Sequence, residues 1–200
     1  MQKILIALLL ALLPAVVFAA PAEPLWIGLA HGSEREAAMA SALRAAMREH
    51  DLEPWLLTRK VLVDERQIPH SHPVLTVNTR HRDDRLGLLS MFVHEQLHWL
   101  EEPPRRDAFH AAMADFEALF PEVPGPDDGG ARDRESTYRH LLVCDMELQA
   151  MTALVGEAAA RKTLAGITTH YQWIYEKVLN DSRVREVALR HGFDVSEGAR

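Results

Sequence analysis

The chain has 200 residues, a formal net charge of −7 and a hydrophobic fraction of 48%. This length and composition predict a globular protein with a sizeable core and argue against a disordered chain. The acidic balance, together with the lack of a basic stripe, argues against a nucleic-acid partner. Cys144 is the single cysteine, which excludes an internal disulfide framework.

Residues 1–19 have the pattern of a secretory signal peptide. Lys3 gives a basic start, an apolar run follows, and Val17 and Ala19 are small residues of the kind a signal peptidase requires. We predict cleavage after Ala19, which leaves residues 20–200 as a single domain without stable membrane insertion. An uncleaved membrane anchor is the alternative. Export without a disulfide framework indicates a bacterial periplasm.

Strand and helix patterns are both present before residue 80. Leu25–Ala30 is predicted to be a first strand, and a capping box that begins at Ser33 predicts a helix running to about His50. Pro54–Val63 has the pattern of a second strand. Pro73–Thr79 is β-branched at alternate positions and opens with a proline, which favours an edge strand.

The rest of the chain is predicted to be helical. A helix capped by Asp83 or Asp84 is expected to end at the Pro103-Pro104 pair. Further helices are expected over residues 106–120, 134–155, 157–180 and 183–190, with a loop at 121–130. Strands followed by helices predict an α+β fold. We expect a small antiparallel or mixed sheet of two to three strands, packed on the helices.

The HExxH motif, His94-Glu95-Gln96-Leu97-His98, carries the strongest chemical information. Residues four apart share a helix face, so both imidazoles can reach one zinc ion at about 2.0–2.1 Å. Glu95 then lies beside the metal, where a general base for a zinc-bound water is needed. The flanking residues are apolar, so these polar groups need partners. Two histidines without a metal are the alternative.

A catalytic zinc needs three protein ligands and an open position. Glu147 is the favoured third ligand, because its neighbours on the helix face are apolar and a buried carboxylate needs a metal, a cation or a hydrogen-bond network. A buried salt bridge is the alternative for Glu147. Asp145 is the competing ligand, on nearly the opposite side of the helix. His140 lies two turns before Glu147 on the same face, which places a further imidazole near the ion.

With the HExxH motif and a distal Glu147, the chain resembles the gluzincin branch of zinc metallopeptidases. The resemblance implies a zincin-type helical core, a strand before the motif and hydrolysis of a peptide or protein substrate. The string from His72 to Trp99 is also similar to a group of exported bacterial proteins. One position departs from the pattern: thermolysin-like members carry an aspartate four residues after the glutamate, where this chain has Met151.

The resemblance also implies a histidine or tyrosine that stabilises the oxyanion formed on the substrate carbonyl. His170 is the favoured residue for this catalytic role, and the other candidates are Tyr138, His140, Tyr171 and Tyr175. The resemblance further suggests that the Pro73–Thr79 strand offers its edge to an extended peptide.

These patterns together predict an exported zinc-dependent hydrolase. Zinc would be bound by His94, His98 and Glu147, and Glu95 would act as the general base in cleavage of a peptide bond. A non-catalytic zinc-binding or interaction protein of the periplasm is the second hypothesis. A helical protein with incidental histidines is the third.

Overall fold

The structure, a computed structural model, describes residues 23–167 and 169–199. The predicted signal peptide therefore lies outside the described residues. Within the described part of the chain, no helix combines the length and apolarity that crossing a membrane requires.

A small three-stranded sheet forms one side of the fold. Its strands are β1 (Trp26–Leu29), β2 (Lys60–Val63) and β3 (Leu75–Val77), in the order β1-β2-β3. Both strand pairs are parallel. The prediction of an antiparallel or mixed sheet is therefore wrong, whereas the α+β character and the edge position of the third strand agree with the sequence.

The connections between the strands explain the parallel arrangement. Helix α1 (Glu34–Glu49) follows β1 and contacts both β1 and β2, so the chain crosses over a helix before the second strand begins. Ser33 caps α1 as predicted, since its Oγ accepts the N–H of Glu36 at 3.2 Å. Residues 64–74 then return the chain to the start of β3 without a helix.

The second strand is shorter than the predicted Pro54–Val63. A 3-10 turn occupies Glu53–Trp55. The side-chain oxygen of Gln96 accepts the N–H groups of Leu57 and Thr58, both at 2.9 Å. These backbone donors are therefore paired with a side chain of the HExxH motif instead of a neighbouring strand.

The helices that follow are close to those predicted. Helix α2 (Arg85–Leu97) is capped by Asp84, whose Oδ1 accepts the N–H of Gly87 at 3.0 Å, and it continues into a 3-10 turn over His98–Glu101. The remaining helices are α3 (Arg106–Leu119), α4 (Arg134–Val155), α5 (Glu157–Ala165), α6 (Gln172–Asn180) and α7 (Ser182–Arg190). The predicted helical stretch 157–180 is thus two helices.

Helix α4 is the centre of the helical layer. It contacts α2, α3, α5, α6 and α7, and most of its length is buried. Helix α2 packs against both α4 and β3. The C-terminal half of α2, which carries the HExxH motif, is therefore enclosed between the sheet and the central helix.

Candidate metal centre

The two histidines of the HExxH motif meet inside the protein. His94 and His98 are 8% and 9% exposed, and their Nε2 atoms lie 3.3 Å apart. Two nitrogens that each bind a tetrahedral zinc at about 2.0–2.1 Å are about 3.3–3.4 Å from each other. The spacing of the two Nε2 atoms therefore matches that of two ligands of one ion.

Glu147 lies on the other side of the His94 ring. Nδ1 of His94 is 2.9 Å from Oε2 of Glu147. Burial opposes a proton on the ring, but the negative charge of Glu147 outweighs it and raises the pKa of His94 well above its ordinary value. The hydroxyl of Tyr175 also donates to Oε2 at 2.9 Å, and Ser90 donates to Oε1. The sequence-predicted ligand is thus beside His94 and inside a hydrogen-bond network.

His140 brings a third imidazole to the same place. Its ring centroid is 5.0 Å from that of His98 and 5.5 Å from that of His94. One ring nitrogen from each of the three histidines lies within 4.8 Å of the others. Nδ1 of His140 donates to the carbonyl oxygen of Ser136 at 2.6 Å.

Two of these rings are held neutral. Burial, and then the charge of His94, lowers the pKa of His140 to about 3. The same two causes lower the pKa of His98 well below its ordinary value. A neutral imidazole offers a lone pair to a cation, and three of them suit zinc. His94, whose pKa is raised, would release its Nε2 proton when the metal binds. The histidine cluster (His94, His98 and His140) therefore has a donor set that fits a zinc ion.

Glu95 is buried beside this histidine cluster without a hydrogen-bond donor. It is 8% exposed, and none of the described residues donates a hydrogen bond to its carboxylate. Burial raises the pKa of Glu95, while the neighbouring His94 and His70 oppose the rise. The Glu95 oxygens are not among the fully buried side-chain atoms without a partner, so the carboxylate keeps contact with solvent. Carboxylates whose pKa is raised by burial concentrate at functional sites.

Cys144 lies beside His94 and Glu147. It is fully buried, and its Sγ is within 4.8 Å of ligand atoms of both His94 and Glu147. Burial raises the pKa of its thiol, so the group stays protonated and unreactive at neutral pH.

Tyr171 lies against the histidine cluster and His170 lies against Tyr171, and both keep some exposure, whereas Tyr138, His140 and Tyr175 are buried. The Tyr171 ring is 4.3 Å from that of His140, and the His170 ring is 4.9 Å from that of Tyr171. Tyr171 has a φ of 55°, a left-handed conformation that non-glycine residues seldom adopt. The hydroxyl of Tyr138 instead donates to the carbonyl oxygen of Phe120 at 2.8 Å.

Asp145, the alternative third ligand, takes part in a different interaction. Its Oδ2 accepts from Nε2 of Gln149 at 2.6 Å and lies 3.4 Å from Nη1 of Arg185. Burial raises the pKa of Asp145 to about 7, against the opposing charge of Arg185. This carboxylate joins α4 to α7 and is not part of the histidine cluster.

A second group of potential ligands, His31, Glu36 and Asp64, lies after the ends of β1 and β2. Oε2 of Glu36 accepts the N–H groups of His31 and Gly32 at 2.8 and 2.9 Å, and its Oε1 accepts that of Glu65 at 3.2 Å. Both oxygens are therefore already used to hold two turns together. We interpret this group as structural.

The outer edge of β3 is partly occupied. Thr76 exchanges two backbone hydrogen bonds with His70, at 2.7 and 3.1 Å. The backbone N–H and C=O of Thr76 are therefore already paired and cannot bind an extended peptide. This leaves less of the β3 edge for the substrate strand that the resemblance suggested.

The sequence did not single out Ser90 or Ser136, and it indicated Tyr175 only for oxyanion stabilisation and not as a partner of Glu147. Ser90 precedes His94 by four residues and Ser136 precedes His140 by four, so each lies one helical turn before a histidine. The Ser90 hydroxyl donates to Glu147 and not to His94, and His140 uses the backbone carbonyl of Ser136, so this spacing alone does not identify the partners. Tyr175 reaches Glu147 from another helix, and no local pattern indicates it.

No protein-family model, curated protein or solved structure matches the chain.

Proposed function

We propose that the chain is an exported zinc-dependent hydrolase that cleaves peptide bonds, with His94 and His98 as zinc ligands and Glu95 as the catalytic base. The observation that carries this proposal is the 3.3 Å approach of the two Nε2 atoms beside a buried carboxylate without a donor. This combination supplies a chelating pair and a proton acceptor in one place.

Zinc supplies Lewis acidity towards a carbonyl oxygen and activates a water molecule for attack. The residues of the chain supply the proton transfers. Glu95 accepts a proton from the attacking water and passes it to the leaving amine. Its burial-raised pKa helps it to hold that proton between the two steps.

His170 is proposed to donate to the oxygen that becomes negative during attack, with Tyr171 as the alternative donor. Tyr171 contacts His140 of the histidine cluster, His170 contacts Tyr171, and both retain some exposure. The peptide substrate is supported by the resemblance of the HExxH motif to gluzincins. Export is supported by the pattern of residues 1–19.

A non-catalytic zinc protein is the second candidate function. It is favoured by the limited exposure of the cluster, because His94, His98 and His140 are each less than a tenth exposed. Structural zinc sites are closed, whereas catalytic sites keep one open position. The unpaired Glu95 favours catalysis, since a structural site has no use for it.

Substitution of Glu95 separates the two functions. We expect zinc-loaded Glu95→Gln to keep the zinc content of the wild type and to cleave a peptide library about 10²–10⁴ times more slowly. Glu102→Gln is the matched control, because Glu102 is a more exposed glutamate that pairs with Arg106 at 2.6 Å. Equal cleavage by wild type and Glu95→Gln, or no cleavage by either, would contradict the proposed enzyme.

A further inference from the structure

We propose that His140 is the third zinc ligand, through its Nε2, and that Glu147 positions His94 without binding the metal. This inference rests on the proposed function, because it assumes that His94 and His98 bind one zinc ion. It replaces the ligand set that the sequence favoured, His94, His98 and Glu147, with a set of three imidazoles.

The two ring nitrogens of His94 face different partners. Nδ1 and Nε2 of an imidazole point away from each other, so the partners of the two nitrogens lie on different sides of the ring. Nε2 of His94 faces His98 at 3.3 Å, and Nδ1 faces Glu147 at 2.9 Å. An ion shared by His94 and His98 lies on the Nε2 side, which Glu147 does not face.

Both oxygens of the Glu147 carboxylate already accept hydrogen bonds from side chains of the protein. The carboxylate is 1% exposed, it accepts from His94 and Tyr175 at Oε2, and it accepts from Ser90 at Oε1. These hydrogen bonds already compensate for the burial of the Glu147 carboxylate. A carboxylate that accepts the second N–H of a ligating histidine is the usual outer partner of a metal site, since it fixes the orientation of the ring.

His140 has a ring nitrogen that is available to bind the metal. Its Nδ1–H is committed to the carbonyl oxygen of Ser136 at 2.6 Å, which leaves the lone pair on Nε2. A ring nitrogen of His140 lies within 4.8 Å of those of His94 and His98. Three imidazoles with one open position form a recognised catalytic zinc set.

This arrangement also accounts for Met151. In thermolysin-like enzymes an aspartate four residues after the glutamate supports a histidine ligand. Here Glu147 itself supports His94 from the Nδ1 side, so the chain needs no second carboxylate at position 151. Met151 is fully buried and apolar, in keeping with a position in the core.

X-ray absorption at the zinc edge tests the ligand set in the unmodified, zinc-loaded protein. We expect the scattering of three imidazoles and no protein carboxylate. Two imidazoles with one carboxylate would overturn the inference while leaving the zinc site itself in place. A protein that takes up no zinc would overturn the proposed function as well, so the two failures are distinguishable.

Zinc affinities of three variants provide a second test, with far-UV circular dichroism as the check of folding. We expect Glu147→Gln to weaken zinc binding by about 10–100-fold, as loss of an outer partner does. His140→Ala should weaken it by more than about 100-fold, because it removes a ligand. His110→Ala is the control for loss of a histidine, since His110 is an exposed residue on α3. A greater loss in Glu147→Gln than in His140→Ala would overturn the inference.

Discussion

Nδ1 of His94 lies 2.9 Å from Oε2 of Glu147, within the contact between α2 and α4. The two residues are 53 positions apart in the chain, so this hydrogen bond joins the HExxH motif to the central helix. The orientation of the first histidine therefore depends on how the two helices pack. Changes in the polar network around Glu147 are expected to alter both stability and zinc binding.

Tyr175→Phe removes one donor from this network without changing the shape of the side chain. Burial raises the pKa of Tyr175 well above its ordinary value, so its hydroxyl stays protonated and donates to Glu147. We expect a loss of about 1–3 kcal/mol in the free energy of unfolding. We also expect zinc affinity to fall by up to about 10-fold, measured by competition with a chelator.

Tyr138→Phe is the matched control. Its hydroxyl is also buried, but it donates to the carbonyl oxygen of Phe120, away from the histidines. We expect a similar loss of stability with unchanged zinc affinity. Equal losses of affinity in both variants would show that Tyr175 acts only through general stability.

Asp145→Asn is expected to change the pH dependence of stability. Because the pKa of Asp145 is raised to about 7, the folded protein keeps a proton there that the unfolded chain loses near pH 4. Wild-type stability should therefore fall as the pH rises from about 4 to about 7, by at most about 4 kcal/mol. The stability of the variant should not fall over this pH range. Its free energy of unfolding should therefore exceed that of the wild type by more at pH 8 than at pH 5.

Urea unfolding at the two pH values measures this effect. Arg185 keeps Asp194 and the carbonyl oxygen of Phe193 as partners, so the variant leaves no isolated cation. A variant less stable than the wild type at both pH values would instead show that the ion pair with Arg185 outweighs burial of the carboxylate.

Glu36→Ala tests the structural interpretation of the second ligand group. The substitution leaves the N–H groups of His31, Gly32 and Glu65 without their acceptor. We expect a loss of about 1–3 kcal/mol in the free energy of unfolding, since three part-buried hydrogen bonds to a charged acceptor are lost. The zinc content per chain should not change. A fall from two zinc ions to one would show that this group binds metal.

His170→Ala addresses oxyanion stabilisation. We expect kcat to fall by about 10²-fold at unchanged zinc content, the effect of losing one donor to a developing negative charge. Tyr171→Phe is the companion variant, because the Tyr171 ring lies between His170 and the histidine cluster. A larger fall in Tyr171→Phe would assign the role to Tyr171.

Local features of the fold were predictable from the sequence. Ser33 and Asp84 cap their helices with their own side chains, and α4 has its predicted bounds because Asp133 caps its start and Gly156 follows its end. The meeting of His94 and His98 follows from the four-residue spacing on one helix. These properties depend on neighbours in the chain.

Properties that depend on distant segments were harder to predict. The direction of the strands is set by the crossover through α1 and by the course of residues 64–74, which strand patterns alone do not give. Apolar neighbours indicated that Glu147 is buried. They did not indicate which nitrogen of His94 it faces, because that depends on the rotation of α4 against α2.

Zinc content of the purified protein, stripped with a chelator and reloaded, shows whether the histidine cluster binds zinc. His98→Ala is the comparison, because it removes one of the two nitrogens that lie 3.3 Å apart. We expect about one zinc ion per chain in the wild type and a clear loss in the variant. No zinc in the wild type after reloading, or equal zinc in both proteins, would contradict this expectation.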